Sequence, residues 1–244
     1  MRNFFIIGGQ RCGTTWLYKM LDSHPEINMA KPIKPEPKYF LNNTNACKKK
    51  YLKYYFNGVG SGIVLGEKST SYYESEQAAR AIKSCLPESK IIFLVRNPIE
   101  RAISNYKFSK INGLESRSLE DVFLNRVENN KVIPNTSVNP FDYIKRGMYS
   151  NFIGKYLDIF GGDKIHVACF EKIVHSTEEF RRLLRFLEVN DAFLPSLFSE
   201  VVNSTSLSSN VSSDIRSRLR ECYEEEVLKM KKYIDISYWQ EFIE

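Results

Sequence analysis

No apolar run in this chain approaches the roughly 20 residues needed to span a bilayer, so no membrane-crossing helix is expected. The opening stretch MRNFFIIGGQ is too short for the apolar region of a secretory leader and has no small-residue cleavage site. It runs directly into a glycine-rich loop and reads as a first strand. Five cysteines, Cys12, Cys47, Cys85, Cys169 and Cys222, are odd in number and show neither Cys-x-x-Cys nor metal-ligand spacing. That pattern argues against a disulfide framework and a zinc site, and for free thiols in a reducing compartment, here the cytoplasm. Internal repeats and low-complexity linkers are missing too, so residues 1–244 are expected to form one domain. A chain of that length can bury about three quarters of its unfolded surface without staples.

What is present begins with charge. A net charge of +6 and a pI near 8.9 suit an anionic partner. Only CKKKYLKYY, Cys47 to Tyr55, is densely basic, and it reads as a solvated helix face rather than an RNA-binding strip. Neither nucleic acid nor membrane is therefore expected as a partner. Short apolar runs, NFFIIG, GIVLGE, KIIFLV and KIHVACF, are rich in β-branched residues and too short for helices. Helical patterns separate them, starting at Thr14, near Glu74, at Pro98, near Ser118, near Met148, at Ser176 and at Asp214. Ser176 and Glu179 stand at capping-box spacing, and Ser118 and Asp121 form a looser version. The alternation predicts an α/β sandwich, a central parallel sheet flanked by helices, with its ligand site at the carboxyl ends of the strands.

The loop after the first strand, in FFIIGGQRCGTTWLYKML, spaces Gly8 and Gly13 like a phosphate-binding loop and opens a helix at Thr14 and Thr15. Backbone N–H groups and a helix tip converge on an anion in such a turn. A triphosphate-binding loop has lysine where this chain has Thr14, and the only cation of the loop is Arg11. A second strand–cation–turn–helix unit follows in FLVRNPIERAISNYKF. There Arg96 closes a strand, Pro98 suits a first helical position, and three- and four-residue spacing predicts that Asn97, Arg101 and Ser104 share a helix face.

Together the two stretches resemble the sulfotransferases that use 3'-phosphoadenosine 5'-phosphosulfate (PAPS). RCGTTW matches the family's 5'-phosphosulfate loop, and RNPIERAISNY matches its 3'-phosphate motif, R-x-P-x-x-R-A-x-S-x-Y. The likeness covers about residues 1–190 and is strongest to the carbohydrate branch, which includes the heparan sulfate enzymes and small bacterial relatives. It implies a P-loop-like three-layer sandwich. It also implies that Gln10, Arg11, Cys12, Gly13, Thr14 and Thr15 cradle the donor with Trp16 near the adenine, that Arg96 and Ser104 grip the 3'-phosphate, and that Tyr149 of RGMY lies near the nucleotide. GEKSTSYY resembles the family segment E-K-[ST]-P-S-Y and makes Lys68 a catalytic cation; KPIKPEPKYF resembles K-E-P-x-x-F and makes Glu36 the base.

The implied reaction moves a sulfuryl group to a hydroxyl, or as second choice an amine, of a small molecule or carbohydrate, releasing the 3',5'-bisphosphate (PAP) without an obligatory metal. Arginine at position 11 departs from the family's lysine; it clamps oxyanions with a fork but is a poor proton donor. His24 is the rival base. Acceptor contacts are expected within residues 112–143. A closing loop is expected in NSTSLSSNVSSDIRSRLR, closed either by its own hydroxyls and amides or by Arg216 and Arg218 reaching in, and the final KMKKYIDISYWQEF should pack back on the fold. Two alternatives stay open: a nucleotide kinase, which needs a lysine at position 14, and a non-catalytic module binding a nucleotide or polyanion.

Overall fold

The structure is a computed structural model that describes residues 2–41, 43, 45–128, 138–199 and 211–243. Five parallel strands, β1 (Asn3–Gly8), β2 (Ile27–Met29), β3 (Val64–Lys68), β4 (Lys90–Val95) and β5 (Ile165–Cys169), form one sheet in the order β2-β3-β1-β4-β5. Every residue of β1 is buried, as are all but the first of β4, so the middle of the sheet is covered on both faces. That is why these strands read as unbroken apolar runs. Close approach also shapes the sheet: a Cβ on Gly66 would lie 2.4 Å from the Phe4 ring and 2.3 Å from Met29 Sδ.

The connecting helices are α1 (Thr14–Asp22), α2 (Lys48–Tyr55), α3 (Glu76–Cys85), α4 (Pro98–Ile111), α5 (Leu119–Phe123), α6 (Tyr149–Phe160), α7 (Phe170–Ile173), α8 (Thr177–Leu187) and α9 (Ser213–Met230). Most start where a side chain accepts from a free helix N–H. Ser75 accepts from Ala78 N, Asn97 from Ile99 and Glu100 N, Ser176 from Glu179 N and Ser212 from Ile215 N. The reciprocal capping box forms at the looser pair: Ser118 accepts from Asp121 N while Asp121 accepts from Ser118 N. Glu179 instead meets Lys172 at 3.0 Å and Arg182 at 3.1 Å.

Three elements depart from the expectation. β2 is only three residues long and pairs with β3, too short for a visible pattern. The segment Thr70–Glu74 is a tight 3-10 turn, so the helix expected near Glu74 begins at Glu76. The basic run does form a helix, but Tyr51 is buried and donates its hydroxyl to Glu67 Oε2 at 2.7 Å, whereas Tyr54 is 78% exposed.

Candidate active site

The first turn after β1 is shaped by backbone geometry that only certain residues tolerate. Arg11 and Gly13 both lie in the left-handed region, with φ of 69° and 87°. At Gly13 a Cβ would stand 2.2 Å from the Phe170 ring, so glycine is required twice over. Gly13 is also the N-cap of α1, and no side chain caps that end. The helix therefore presents its positive pole to the cleft. Thr14, buried, and Thr15, exposed, flank this tip.

β4 delivers the second cation. Arg96 follows the strand, and Asn97 turns the chain into α4, with Pro98 at its first position. Two turns along α4, Ser104 accepts from Arg11 Nε at 3.2 Å. Arg11 lies over the Phe108 ring, 4.8 Å from its centroid, and Arg96 over Phe170 at 5.7 Å. Burial, then the like charge of Arg96, pushes the Arg11 guanidinium down from its ordinary value. An oxyanion between the two arginines would relieve that repulsion. Arg96 meanwhile sits 3.9 Å from both Glu100 Oε2 and Glu171 Oε1.

Glu36 and Lys68 reach the same cleft from two further segments. Lys68, the last residue of β3, is 4% exposed and donates to Glu36 Oε1. Thr70 holds the same carboxylate: its N–H donates to Oε2 at 2.9 Å, and its hydroxyl lies 3.1 and 3.0 Å from the two oxygens. The backbone around Glu36 is tied to the same turn, with Lys38 N donating to Ser69 Oγ at 2.9 Å and Phe40 N to Tyr72 OH at 3.0 Å.

These groups line one cleft of about 460 Å³. Gln10, Arg11, Gly13, Thr14, Thr15, Glu36, Lys68, Arg96 and Ser104, all named from the sequence, are brought together there. Five cations, Arg11, Lys34, Lys68, Arg96 and Lys107, face two carboxylates, Glu36 and Glu100, among the described residues. Lys107 was missed in the sequence, although it stands with Phe108 and Ile111 at helical spacing after Ser104. Burial lowers its ammonium, partly countered by Glu100. Thr70, which also lines the cleft, was missed because its contacts with Glu36 join positions 34 residues apart.

Other named residues are placed elsewhere. Cys12 and Tyr149 are fully buried behind the loop, with Cys12 Sγ 3.5 Å from Tyr149 OH, and that hydroxyl donates to Arg96 O at 2.7 Å. Trp16 packs edge-on against Phe170 and Phe180 rather than lining the cleft. Arg101 does not share the Ser104 face: it is completely buried, donating to Asn105 Oδ1 at 3.2 Å and to Tyr143 O. His24 is also outside the cleft. Its Nδ1 accepts from Glu26 N at 3.1 Å, which fixes Nε2–H as the donor to Asn190 O at 2.9 Å.

The chain's end braces the site from behind. Trp239 is fully buried and donates to Glu171 Oε2 at 3.2 Å, while Glu171 Oε1 accepts from Asn97 N at 2.9 Å. Arg216 meets Glu100 at 2.8 Å and Glu241 at 3.0 Å, whereas Arg218 turns to Glu221 at 2.7 Å. Residues 203–210 of the expected closing loop and residues 129–137 of the expected acceptor stretch lie outside the described residues, and the rest of that loop runs into α9.

Residues 1–235 match the model of the sulfotransferase domain family. The chain belongs to this family. Among curated relatives, this chain is 37% identical over 114 residues to the mouse (Mus musculus) bifunctional heparan sulfate N-deacetylase/N-sulfotransferase 4, covering 44% of this chain and 13% of that protein. It is 34% identical over 116 residues to the human (Homo sapiens) heparan sulfate glucosamine 3-O-sulfotransferase 6, covering 46% of this chain and 32% of that protein. The chain thus spans a third or less of these relatives. Among solved structures, a sulfotransferase from Alicyclobacillus acidocaldarius superposes with a TM-score of 0.77 at 23% identity, covering 98% of this chain and 99% of that one. That likeness concerns the fold, a parallel sheet flanked by helices of the P-loop-like sulfotransferase type. Among the described residues no helix is long and apolar enough to cross a membrane, and no group of three or more His, Cys, Asp or Glu could hold a metal ion.

Proposed function

We propose that this sulfotransferase moves a sulfuryl group from PAPS to a hydroxyl, or as second choice an amine, of a small-molecule or carbohydrate acceptor, with Glu36 as base. The carrying observation is that Glu36 and Lys68 share one cleft with Arg11, Arg96, Ser104 and the uncapped tip of α1. A donor bearing two separated phosphate groups fits that donor set: the α1 tip and Arg11 suit the 5'-phosphosulfate, and Arg96 with Ser104 suits the 3'-phosphate.

In this reading the acceptor oxygen attacks sulfur in line as the bond from sulfur to the bridging oxygen breaks, and the electron pair leaves with the 5'-phosphate of PAP. Glu36 takes the proton released by the acceptor. Arg11, permanently charged, stabilises the oxygens that gather negative charge, and Lys68 supplies a compact ammonium beside the base. The route calls for no metal ion. A single domain working in the cytoplasm belongs to the same reading, supported by one continuous core and by five cysteines that are all free.

Glu36→Gln tests the proposal. Calorimetry should show PAP binding unchanged, while transfer from radiolabelled PAPS to pooled alcohols, amines and glycans falls by about a hundredfold or more. Turnover equal to the parent's would remove Glu36 as base, and failure of PAP to bind at all would remove the donor assignment.

A further inference from the structure

We infer that Thr70 is a positioning residue that aims the Glu36 carboxylate at the acceptor, an inference resting on the reading of Glu36 as base. An ionised carboxylate offers about four lone-pair sites and no proton. Among the described residues, three donated protons approach Glu36: one from the Lys68 ammonium, one from Thr70 N–H and one from the Thr70 hydroxyl. Two of the three come from Thr70. That leaves one site to receive the proton of an incoming hydroxyl, and Thr70 determines which one. A carboxylate held only by a lysine could rotate about its last torsion, a broad and nearly two-fold potential, and exchange its oxygens. Thr70 N–H on Oε2 and Lys68 on Oε1 occupy opposite oxygens and lock the plane.

Thr70 is placed to do this by the turn it opens. It is the first residue of the 3-10 segment after β3, where a backbone N–H has no partner within the turn. The motif E-K-[ST]-P-S-Y has proline at this position, which carries neither the N–H nor the hydroxyl. The device therefore belongs to this chain's own sequence. The loop bearing Glu36 does not depend on Thr70 for its course, because Ser69 and Tyr72 already hold Lys38 N and Phe40 N. Removing the Thr70 hydroxyl should thus disturb the direction of the carboxylate and leave the loop in place.

Three variants separate these roles. Thr70→Val keeps shape and the N–H but loses the hydroxyl, Thr70→Ser restores the hydroxyl, and Thr70→Pro loses both contacts. Single-turnover consumption of PAPS with a mixed alcohol and glycan pool should fall about tenfold in Thr70→Val and further in Thr70→Pro, with Thr70→Ser within about twofold of the parent. PAP affinity by calorimetry and the melting temperature of Thr70→Val should stay at the parent's values. Infrared difference spectroscopy against Glu36→Gln isolates the Glu36 carboxylate band without any acceptor. That band should shift in Thr70→Val and stay in Thr70→Ser. Parent-like rates or an unmoved band in Thr70→Val, with Glu36→Gln inactive, overturn the role of Thr70 and leave the base standing. Full turnover by Glu36→Gln overturns the base and this inference together.

Discussion

Arg11 donates through Nε to Ser104 Oγ at 3.2 Å, joining the loop after β1 to the face of α4, 93 residues further along the chain. The contact exists because β1 and β4 are sheet neighbours, so both carboxyl ends open into one cleft. Each residue thereby orients the other before an anion arrives, which lowers the ordering needed on binding.

Ser104→Ala should weaken PAP binding by about tenfold, the scale of one hydrogen bond to a charged group. Arg11→Lys keeps the charge but loses the fork and the Nε donor, and should weaken binding at least as much. Titration calorimetry of both variants decides the matter, and parent-like affinity in Ser104→Ala would sever the link between the two segments.

Gly13→Ala forces a side chain into the Phe170 ring at a φ of 87°. The expected loss is about 2 kcal/mol, or roughly 4–8 °C in melting temperature. Combining it with Phe170→Ala should restore only part of the PAP affinity, because the backbone strain remains when the ring is gone. Complete rescue would mean that crowding alone makes glycine necessary.

Trp239→Phe removes the donor to Glu171 Oε2 and leaves the ring packing largely intact. Glu171 also receives Asn97 N and lies beside Arg96, so losing that anchor should reach the start of α4 and Arg96. A loss of about 1 kcal/mol in stability, with PAP affinity reduced a few-fold, is expected from urea titration and calorimetry.

His166, on β5, has its imidazole pushed down to about 4, chiefly by burial and then by the like charge of Arg182. In the folded protein it stays neutral while the unfolded chain takes up a proton near pH 6.5. Between pH 6.5 and about 4 the unfolded state therefore binds more protons, and stability falls as pH drops. His166→Gln should flatten this part of the curve. Urea midpoints at pH 7 and pH 4.5 give the difference, and parallel curves for parent and variant would contradict the shift.

Local signals in the sequence worked where the physics is local. Asn97 and Pro98 announced α4, and Ser118 with Asp121 announced α5, because caps and proline positions act within one turn. They failed where neighbours decide. β2 forms because Ile27–Met29 lies alongside Val64–Gly66, a pairing no three-residue pattern can reveal. Arg101 and Ser104 share helical spacing, yet α4 is packed on several sides and sends the arginine to Tyr143 O and the serine to Arg11. Tyr149 and Trp16 carried family motifs, but the full burial of Tyr149 and the packing of Trp16 on Phe170 are properties of the layers around them.

By itself the chain's order of residues determined the parallel α/β architecture, the glycine turn with its uncapped helix tip and the strand–turn–helix unit that carries Arg96 and Ser104. Those depend on periodicity, backbone freedom and caps, all set over a few residues. Only the tertiary structure decided which groups meet. Glu36, Lys68 and Thr70 converge, and His24 is excluded, because strand order and long-range hydrogen bonds choose each side chain's direction.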